Sequence, residues 1–152
     1  MLMGIVPERR AGAEMAVVLI AEDDEDIALI LARLLKRAGN TVLRAPDGVA
    51  ALALAVQHRP GVILTDLGMP RMDGLELTRA IRDDPDLADT PIVMLSGHLH
   101  PGDTTPIEAR ACAVLLKPCP NDRVRAVVQD LADRGPHDHS GAACPTNRPV
   151  TA

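Results

Sequence analysis

Short apolar runs alternate with longer amphipathic segments along the chain. The apolar runs predict five strands, at residues 17–21, 41–45, 62–64, 92–95 and 113–116. Apolar periodicity, together with polar starts and Gly or Pro stops, predicts five helices, at about residues 27–38, 49–57, 74–82, 106–111 and 121–133. Such alternation is typical of a parallel sheet with helices on both faces. Right-handed crossovers then favour a doubly wound α/β fold.

Two helix starts carry recognisable signals. Asp73 and Glu76 have the spacing of a capping box before the third helix. The fourth helix is expected to be short, because Pro101 and Pro106 interrupt its segment. Thr105 is its expected cap and Pro106 its expected first residue.

The two ends of the chain lack apolar periodicity. Residues 1–15 and 135–152 are therefore expected to be disordered, around one domain of residues 16–134. Met15 directly precedes the first strand, so it competes with Met1 as the natural start. Nothing after residue 134 is expected to form an output domain.

Composition and net charge argue against two classes of function, nucleic-acid binding and membrane insertion. Hydrophobic residues make up 47% of the 152, which suffices for a core, but Phe, Tyr and Trp are all absent. A net charge of -5 argues against nucleic-acid binding. No apolar run approaches the ~20 residues of a membrane span, and no signal peptide is recognisable. We therefore expect a cytoplasmic protein without nucleic-acid or membrane partners.

Cysteine and histidine positions give no clear metal motif. Cys112, Cys119 and Cys144 are an odd number, which fits reduced thiols better than a disulfide framework. No close Cys or His spacing supports Cys119 and Cys144 as a metal pair. His137 and His139, on either side of Asp138, offer a possible metal site, which the predicted disorder of their segment disfavours.

Polar residues follow four of the five predicted strands. Glu22 and Asp23 follow the first, Asp66 the third, Ser96 the fourth and Lys117 the fifth. The carboxyl ends of parallel strands share one edge of the sheet, where ligands bind. Three carboxylates, a hydroxyl and an ammonium are therefore expected in one cleft.

The chemistry of this set suggests phosphoryl transfer. Clustered carboxylates repel one another unless a cation joins them, and oxygen ligands with room for water suit Mg²⁺. Mg²⁺, a lysine and a hydroxyl together can hold a phosphoryl group, with Asp66 as its acceptor. Taken singly, each residue also has an ordinary explanation: Asp66 can cap a turn, Glu22 and Asp23 can start a helix, and Lys117 can be a solvated surface charge.

These residues resemble the receiver domain of bacterial response regulators over about residues 17–134. The resemblance rests on Glu22-Asp23 after the first strand, on the stretch from Asp66 to Gly74, on Ser96-Gly97 and on Lys117-Pro118. It implies a five-stranded flavodoxin-like sheet in the strand order 2-1-3-4-5. It also implies that a sensor histidine kinase or a histidine phosphotransfer protein donates phosphate, and that a downstream protein receives the signal.

The resemblance further implies roles for single residues. Asp66 would be the phosphoacceptor, Asp23 a direct Mg²⁺ ligand and Glu22 a ligand mostly through water. The backbone carbonyl of Gly68 would complete the metal site.

The remaining roles concern the phosphoryl group and the switch. Ser96 and Lys117 would hold the phosphoryl group, and Pro118 would follow a cis peptide bond. Gly68 and His98 occupy positions that tune phosphate lifetime in receivers; Gly68 would leave the site open to water, and His98 is expected at the rim.

The chain departs from the receiver pattern at the switch position. Receivers usually have Tyr or Phe three residues before the lysine, where this chain has Val114. Valine is too short and stiff to make the inward swing of that aromatic ring. We therefore expect phosphorylation to reshape residues 96–105 rather than to rotate a side chain.

Three functions are compatible with this set of residues. The first is a stand-alone phosphoacceptor switch or phosphorelay intermediate. The second is an aspartyl-phosphate phosphatase, which normally needs an acid at the position of Gly68. The third is a constitutive protein-binding module that has the receiver fold without a productive switch; Val114 favours it, whereas the intact Asp66, Ser96 and Lys117 oppose it.

Overall fold

The protein is described here from a computed structural model, which describes residues 16–97, 103–141 and 144–145. Its strands are β1 Val17–Ala21, β2 Thr41–Ala45, β3 Val62–Asp66, β4 Ile92–Ser96 and β5 Ala113–Leu116. Its helices are α1 Glu25–Arg37, α2 Gly48–His58, α3 Gly74–Asp83, α4 Thr105–Glu108 and α5 Asn121–Arg134. All neighbouring strands pair in parallel, in the order β2-β1-β3-β4-β5. The predicted doubly wound fold and its 2-1-3-4-5 order are confirmed.

The core has two layers, one on each face of the sheet. Alternate residues of β1 face opposite sides, so Val18 and Leu19 belong to different clusters. Residues of α1 and α5 pack on one face, and residues of α2 and α3 pack on the other. Strands buried on both faces must be apolar throughout, which explains the uninterrupted runs in the sequence.

Aspartates cap the amino ends of three helices: Asp24 caps α1, Asp47 caps α2 and Asp73 caps α3. Asp24 accepts hydrogen bonds from the N–H groups of Asp26 and Ile27, so α1 begins two residues earlier than its apolar period indicated. Asp73 and Glu76 form the predicted capping box, at 2.8 and 3.0 Å. These caps satisfy N–H groups that the helix itself leaves unpaired.

The fourth helix is shorter than predicted. It begins at Thr105 and ends at Glu108, because Arg110 takes a left-handed φ of 69° that a helix cannot contain. Thr105 does not act as its cap; its N–H instead donates to Asp103 Oδ1 at 2.9 Å.

Of the C-terminal segment that the sequence predicts to be disordered, the structure describes residues 135–141 and 144–145, which form no helix or strand. His139 is 2% exposed and Cys144 is 4% exposed. The backbone N–H of His137 donates to the Asp89 carbonyl at 3.0 Å. His and Cys side chains also contact the domain, and such contacts leave no apolar periodicity in the sequence. The other predicted disordered residues, 1–15, 142–143 and 146–152, lie outside the described residues.

Across the described ranges, no helix combines the length and the apolar character needed to cross a membrane.

Candidate functional site

The four polar strand ends meet at the carboxyl edge of the sheet. The parallel register sets the end of β3 beside β1 and β4, with Asp66 opposite Leu95, and it sets Ser96 of β4 opposite Leu116 of β5. The backbone N–H of Lys117 donates to the Ser96 carbonyl at 2.8 Å. Residues that are far apart in sequence are thus brought to one cleft.

Lys117 links two of the acids. Its Nζ lies 2.9 Å from Asp66 Oδ1 and 3.3 Å from Glu22 Oε1. The Glu22 side chain is 3% exposed and that of Asp66 is 11% exposed, so both pairs are shielded from solvent. Such shielding makes these ion pairs stronger than surface pairs.

Three carboxylates converge around this pairing. Glu22, Asp23 and Asp66 each offer one oxygen, and the three oxygens lie within 4.8 Å of one another. Two unit charges about 4 Å apart repel by about 4 kcal/mol at an effective dielectric constant of about 20. One lysine cannot neutralise three acids. A cluster of hard oxygen donors with one exposed member fits Mg²⁺, which keeps several of its waters.

The electrostatics of the site show the same deficit of positive charge. Burial raises the pKa of Glu22, and the negative charge of Asp66 adds to this; the Asp24 N–H and Lys117 oppose it. Burial by itself would lower the pKa of Lys117, but Asp66 and then Glu22 outweigh it, so the pKa is raised. Lys117 therefore remains a cation at neutral pH, while the buried Glu22 carboxylate would gain from a further cation.

Glycines shape the loop after Asp66. A Cβ on Gly68 would find no atom within 4 Å, so the loop is open beside the acid. A Cβ on Gly74 would overlap the carbonyl oxygen of Asp66, so α3 can approach the strand end this closely only with glycine at that position. The Gly74 N–H donates to the Leu67 carbonyl at 2.8 Å.

An ion pair between Arg71 and Asp47 fixes the far end of this loop. Arg71 has a φ of 69°, and the Gly48 N–H donates to the Met72 carbonyl at 3.0 Å. The Ala50 N–H and the Arg71 guanidinium lower the pKa of Asp47, so this acid stays ionised. The sequence pattern did not predict this pair. Its only trace is an acid in a Pro-Asp-Gly turn and a basic residue in a distant loop.

Of the remaining predicted residues, the structure describes Ser96, Val114 and Pro118. Ser96 is 1% exposed at the end of β4. The Lys117–Pro118 peptide bond is cis. Val114 lies in β5 opposite Met94 and is partly buried. His98 lies outside the described residues.

Comparison with known proteins places this geometry in a family. The family model described as the response regulator receiver domain matches residues 18–129. The polar-differentiation response regulator DivK of Brucella anthropi is 34% identical over 102 residues, which are 66% of this chain and 83% of DivK.

Solved structures agree with this match. The chemotaxis response regulator CheY4 of Vibrio cholerae is 33% identical, with a TM-score of 0.73 over 78% of this chain and 99% of CheY4. The receiver domain of a sensor histidine kinase from Pseudomonas aeruginosa is 26% identical, with a TM-score of 0.73 over 79% of this chain and 99% of that domain; its structure has a magnesium ion in the active-site cleft. The fold, the strand-end residues and these similarities lead to one conclusion: the chain belongs to the response regulator receiver domains of two-component signal transduction.

Proposed function

We propose that Asp66 accepts a phosphoryl group from a phosphohistidine of a sensor histidine kinase or a histidine phosphotransfer protein. The phosphorylated domain then signals to a downstream protein by direct contact. The observation that carries this proposal is the position of Asp66, whose carboxylate is 2.9 Å from the Lys117 ammonium and adjoins two further acids.

In the transfer, an Asp66 oxygen forms a bond to phosphorus while the phosphorus–nitrogen bond of the donor breaks. The imidazole nitrogen of the donor keeps the electron pair. Lys117 pairs with Asp66 before the transfer, and its ammonium is close enough to pair with the phosphoryl oxygens afterwards. The Ser96 hydroxyl donates a hydrogen bond to the same group.

The acidic residues form the proposed Mg²⁺ site. Glu22, Asp23 and Asp66, with the backbone carbonyl of Gly68, supply the oxygen ligands that this ion prefers. When bound, Mg²⁺ neutralises charge on the phosphoryl oxygens. The raised pKa of Glu22 supports this assignment, since a divalent cation would offset the burial of that carboxylate.

A protein donor needs a surface beside Asp66. An apolar groove of about 400 Å³ adjoins Lys117 and lies between α1 and the start of α5, with Ile27, Ile30 and Val124 among its lining residues. Ile30 is 52% exposed. A helix that carries a phosphohistidine can bury its apolar side chains there while its imidazole reaches the cleft.

One alternative has a specific observation in its favour. Val114 stands where receivers usually have an aromatic residue, so the chain can instead be a constitutive binding module. We favour the switch, with phosphorylation acting through residues 96–105, because the acid, the hydroxyl residue and the lysine are all in place. Of that loop, residues 98–102 lie outside the described residues.

Intact-mass measurement tests the proposal. The chain is incubated with Mg²⁺ and acetyl phosphate, and a single phosphoryl adduct is expected. Asp66→Asn should abolish the adduct. Asp73→Asn is the matched control, because it makes the same change in the same loop and asparagine still caps α3. A wild-type chain without an adduct would favour the binding module, and turnover of unrelated phosphate esters would favour a phosphatase.

A further inference from the structure

A second cluster of chemically reactive side chains lies at the opposite edge of the sheet from Asp66. It consists of Cys112, which directly precedes β5, and three residues that follow α5: His137, His139 and Cys144. One ligand atom from each of the four lies within 4.8 Å of the other three. We refer to these four residues as the Cys–His cluster.

The distances within the cluster suit a tetrahedral metal ion. Cys112 Sγ lies 3.4 Å from His137 Nε2 and 3.2 Å from His139 Nε2, and His137 Nε2 lies 3.2 Å from Cys144 Sγ. A tetrahedral zinc ion with bonds of about 2.3 Å to sulfur and about 2.0–2.1 Å to nitrogen sets these atoms about 3.5 Å apart. Little movement would therefore be needed to admit the ion.

Both imidazole rings are oriented as metal ligands are. His137 Nδ1 is 3.0 Å from the Gly135 carbonyl, and His139 Nδ1 is 2.9 Å from the Ala88 carbonyl. A carbonyl oxygen accepts only, so each Nδ1 carries a proton; in the neutral imidazole this leaves the Nε2 lone pair facing the sulfur atoms. Metal-binding histidines characteristically donate their other N–H in this way.

In the metal-free chain, the hydrogen bond with Cys144 and burial raise the pKa of the Cys112 thiol, but two hydrogen-bond donors face its sulfur and would stabilise a metal-bound thiolate. The Ile92 N–H and the Arg82 Nη2 each approach Cys112 Sγ at 3.5 Å. Arg82 is 5% exposed, so its charge is held close to the sulfur with little solvent screening. Cys112, His139 and Cys144 are all buried, which is typical of a closed structural site.

We propose that the Cys–His cluster binds one Zn²⁺, with two thiolates and two neutral imidazoles as ligands. Sulfur and imidazole ligands in tetrahedral arrangement select zinc over the hard cations that carboxylates bind. The ion joins the segment after α5 to the amino edge of the sheet, so it acts as a structural clamp. This site is separate from the Mg²⁺ site and does not depend on the proposed phosphoryl transfer.

The sequence pattern did not predict this set. Cys119, which was weighed as a partner of Cys144, is not among the four residues, and the segment that carries His137 and His139 was predicted to be disordered. The residue that completes the set is Cys112. It precedes α5 in the sequence, whereas His139 follows α5, and the fold brings the two side chains together.

Metal titration of the full chain tests the proposal. Reduced, metal-free protein is titrated with Zn²⁺ against a chromophoric chelator in excess Mg²⁺, and one tightly bound equivalent is expected. Co²⁺ in place of Zn²⁺ should give thiolate charge-transfer bands and the intense visible bands of tetrahedral cobalt. The near-ultraviolet region is clear for this measurement, because the chain has no Phe, Tyr or Trp.

Variants assign the ion to the cluster. Cys144→Ser should weaken Zn²⁺ binding by more than about 100-fold, since loss of an outer-sphere partner alone costs about 10–100-fold. Cys119→Ser is the matched control and should bind like the wild type. Asp66→Asn should also bind like the wild type, which excludes the carboxylate site.

Several results would overturn the proposal. One is wild-type protein, folded by circular dichroism, that binds no equivalent of Zn²⁺. Another is an octahedral cobalt spectrum. A third is a Cys112–Cys144 disulfide that persists in reductant, seen as the loss of two hydrogens in the intact mass. Equal binding by Cys144→Ser and the wild type would overturn it as well. If the reduced, folded chain binds no Zn²⁺, the cluster is held by hydrogen bonds between its thiols and imidazoles instead.

Discussion

Gly74→Ala inserts one methyl group between α3 and the end of β3. Besides overlapping the Asp66 carbonyl oxygen, the new Cβ would lie 3.0 Å from Leu67 Cα and 3.1 Å from the Asp66 carbonyl carbon. All three neighbours are backbone atoms, so no side chain can turn away to make room. The start of α3 and the end of β3 must therefore separate.

The cost follows from the packing. Overfilling a tightly packed site typically costs about 1–3 kcal/mol. Replacing glycine by alanine also stabilises the folded state by about 0.4–1 kcal/mol, because alanine lowers the conformational entropy of the unfolded chain. Subtracting the two ranges leaves about 0–2.6 kcal/mol, and the overlap with backbone atoms excludes the lower end, so the net loss is about 1–2 kcal/mol. With an unfolding entropy of about 2.1 cal/mol/K per residue and a domain of about 120 residues, the melting temperature should fall by about 4–8 °C.

Thermal unfolding followed by far-ultraviolet circular dichroism measures this loss, since aromatic fluorescence is absent. Gly61→Ala is the matched control at the other end of β3; its Cβ would meet its nearest neighbour, the Val17 carbonyl oxygen, at an ordinary 3.7 Å. Labelling by acetyl phosphate should also slow, by up to about 100-fold, because the displaced carbonyl belongs to Asp66. Equal melting temperatures for the two variants would refute the steric reasoning.

Three further predictions follow from other contacts. Arg82→Met should lower the free energy of unfolding in urea by at least about 3 kcal/mol. The buried Arg82 guanidinium donates to the carbonyls of Arg110, Ala88 and Thr90, which would lose their donor. Arg79→Met, at an exposed position, is the control and should change the stability little. Asp73→Ala should lower the melting temperature by about 4 °C through loss of a cap worth about 1 kcal/mol, whereas Asp73→Asn should not. Amide exchange with a phosphoryl mimic should change between residues 96 and 111, and unchanged exchange there would contradict a loop-based switch.

Strand positions and the composition of the main site could be predicted from the sequence because both follow from local rules. A strand buried on both faces must be largely apolar, so continuous apolar runs identified the central strands β1, β3 and β4. The edge strand β2 is partly exposed and includes Thr41 and Arg44, so its shorter apolar core identified it less sharply. Parallel strands must end at one edge, so Glu22, Asp66, Ser96 and Lys117 could be assigned to one cleft before any coordinates were known.

Contacts made by single side chains across long sequence separations could not be predicted in this way. The pair of Arg71 with Asp47 and the cluster of Cys112 with His139 leave no periodic trace, because neither contact repeats along an element. The burial of His139 and Cys144 also could not be predicted, since these two residues belong to no apolar stripe. The sequence by itself therefore determined the elements and the chemistry at the strand ends. Only the tertiary structure decided which distant polar residues meet, because that depends on how the packed layers bring the loops together.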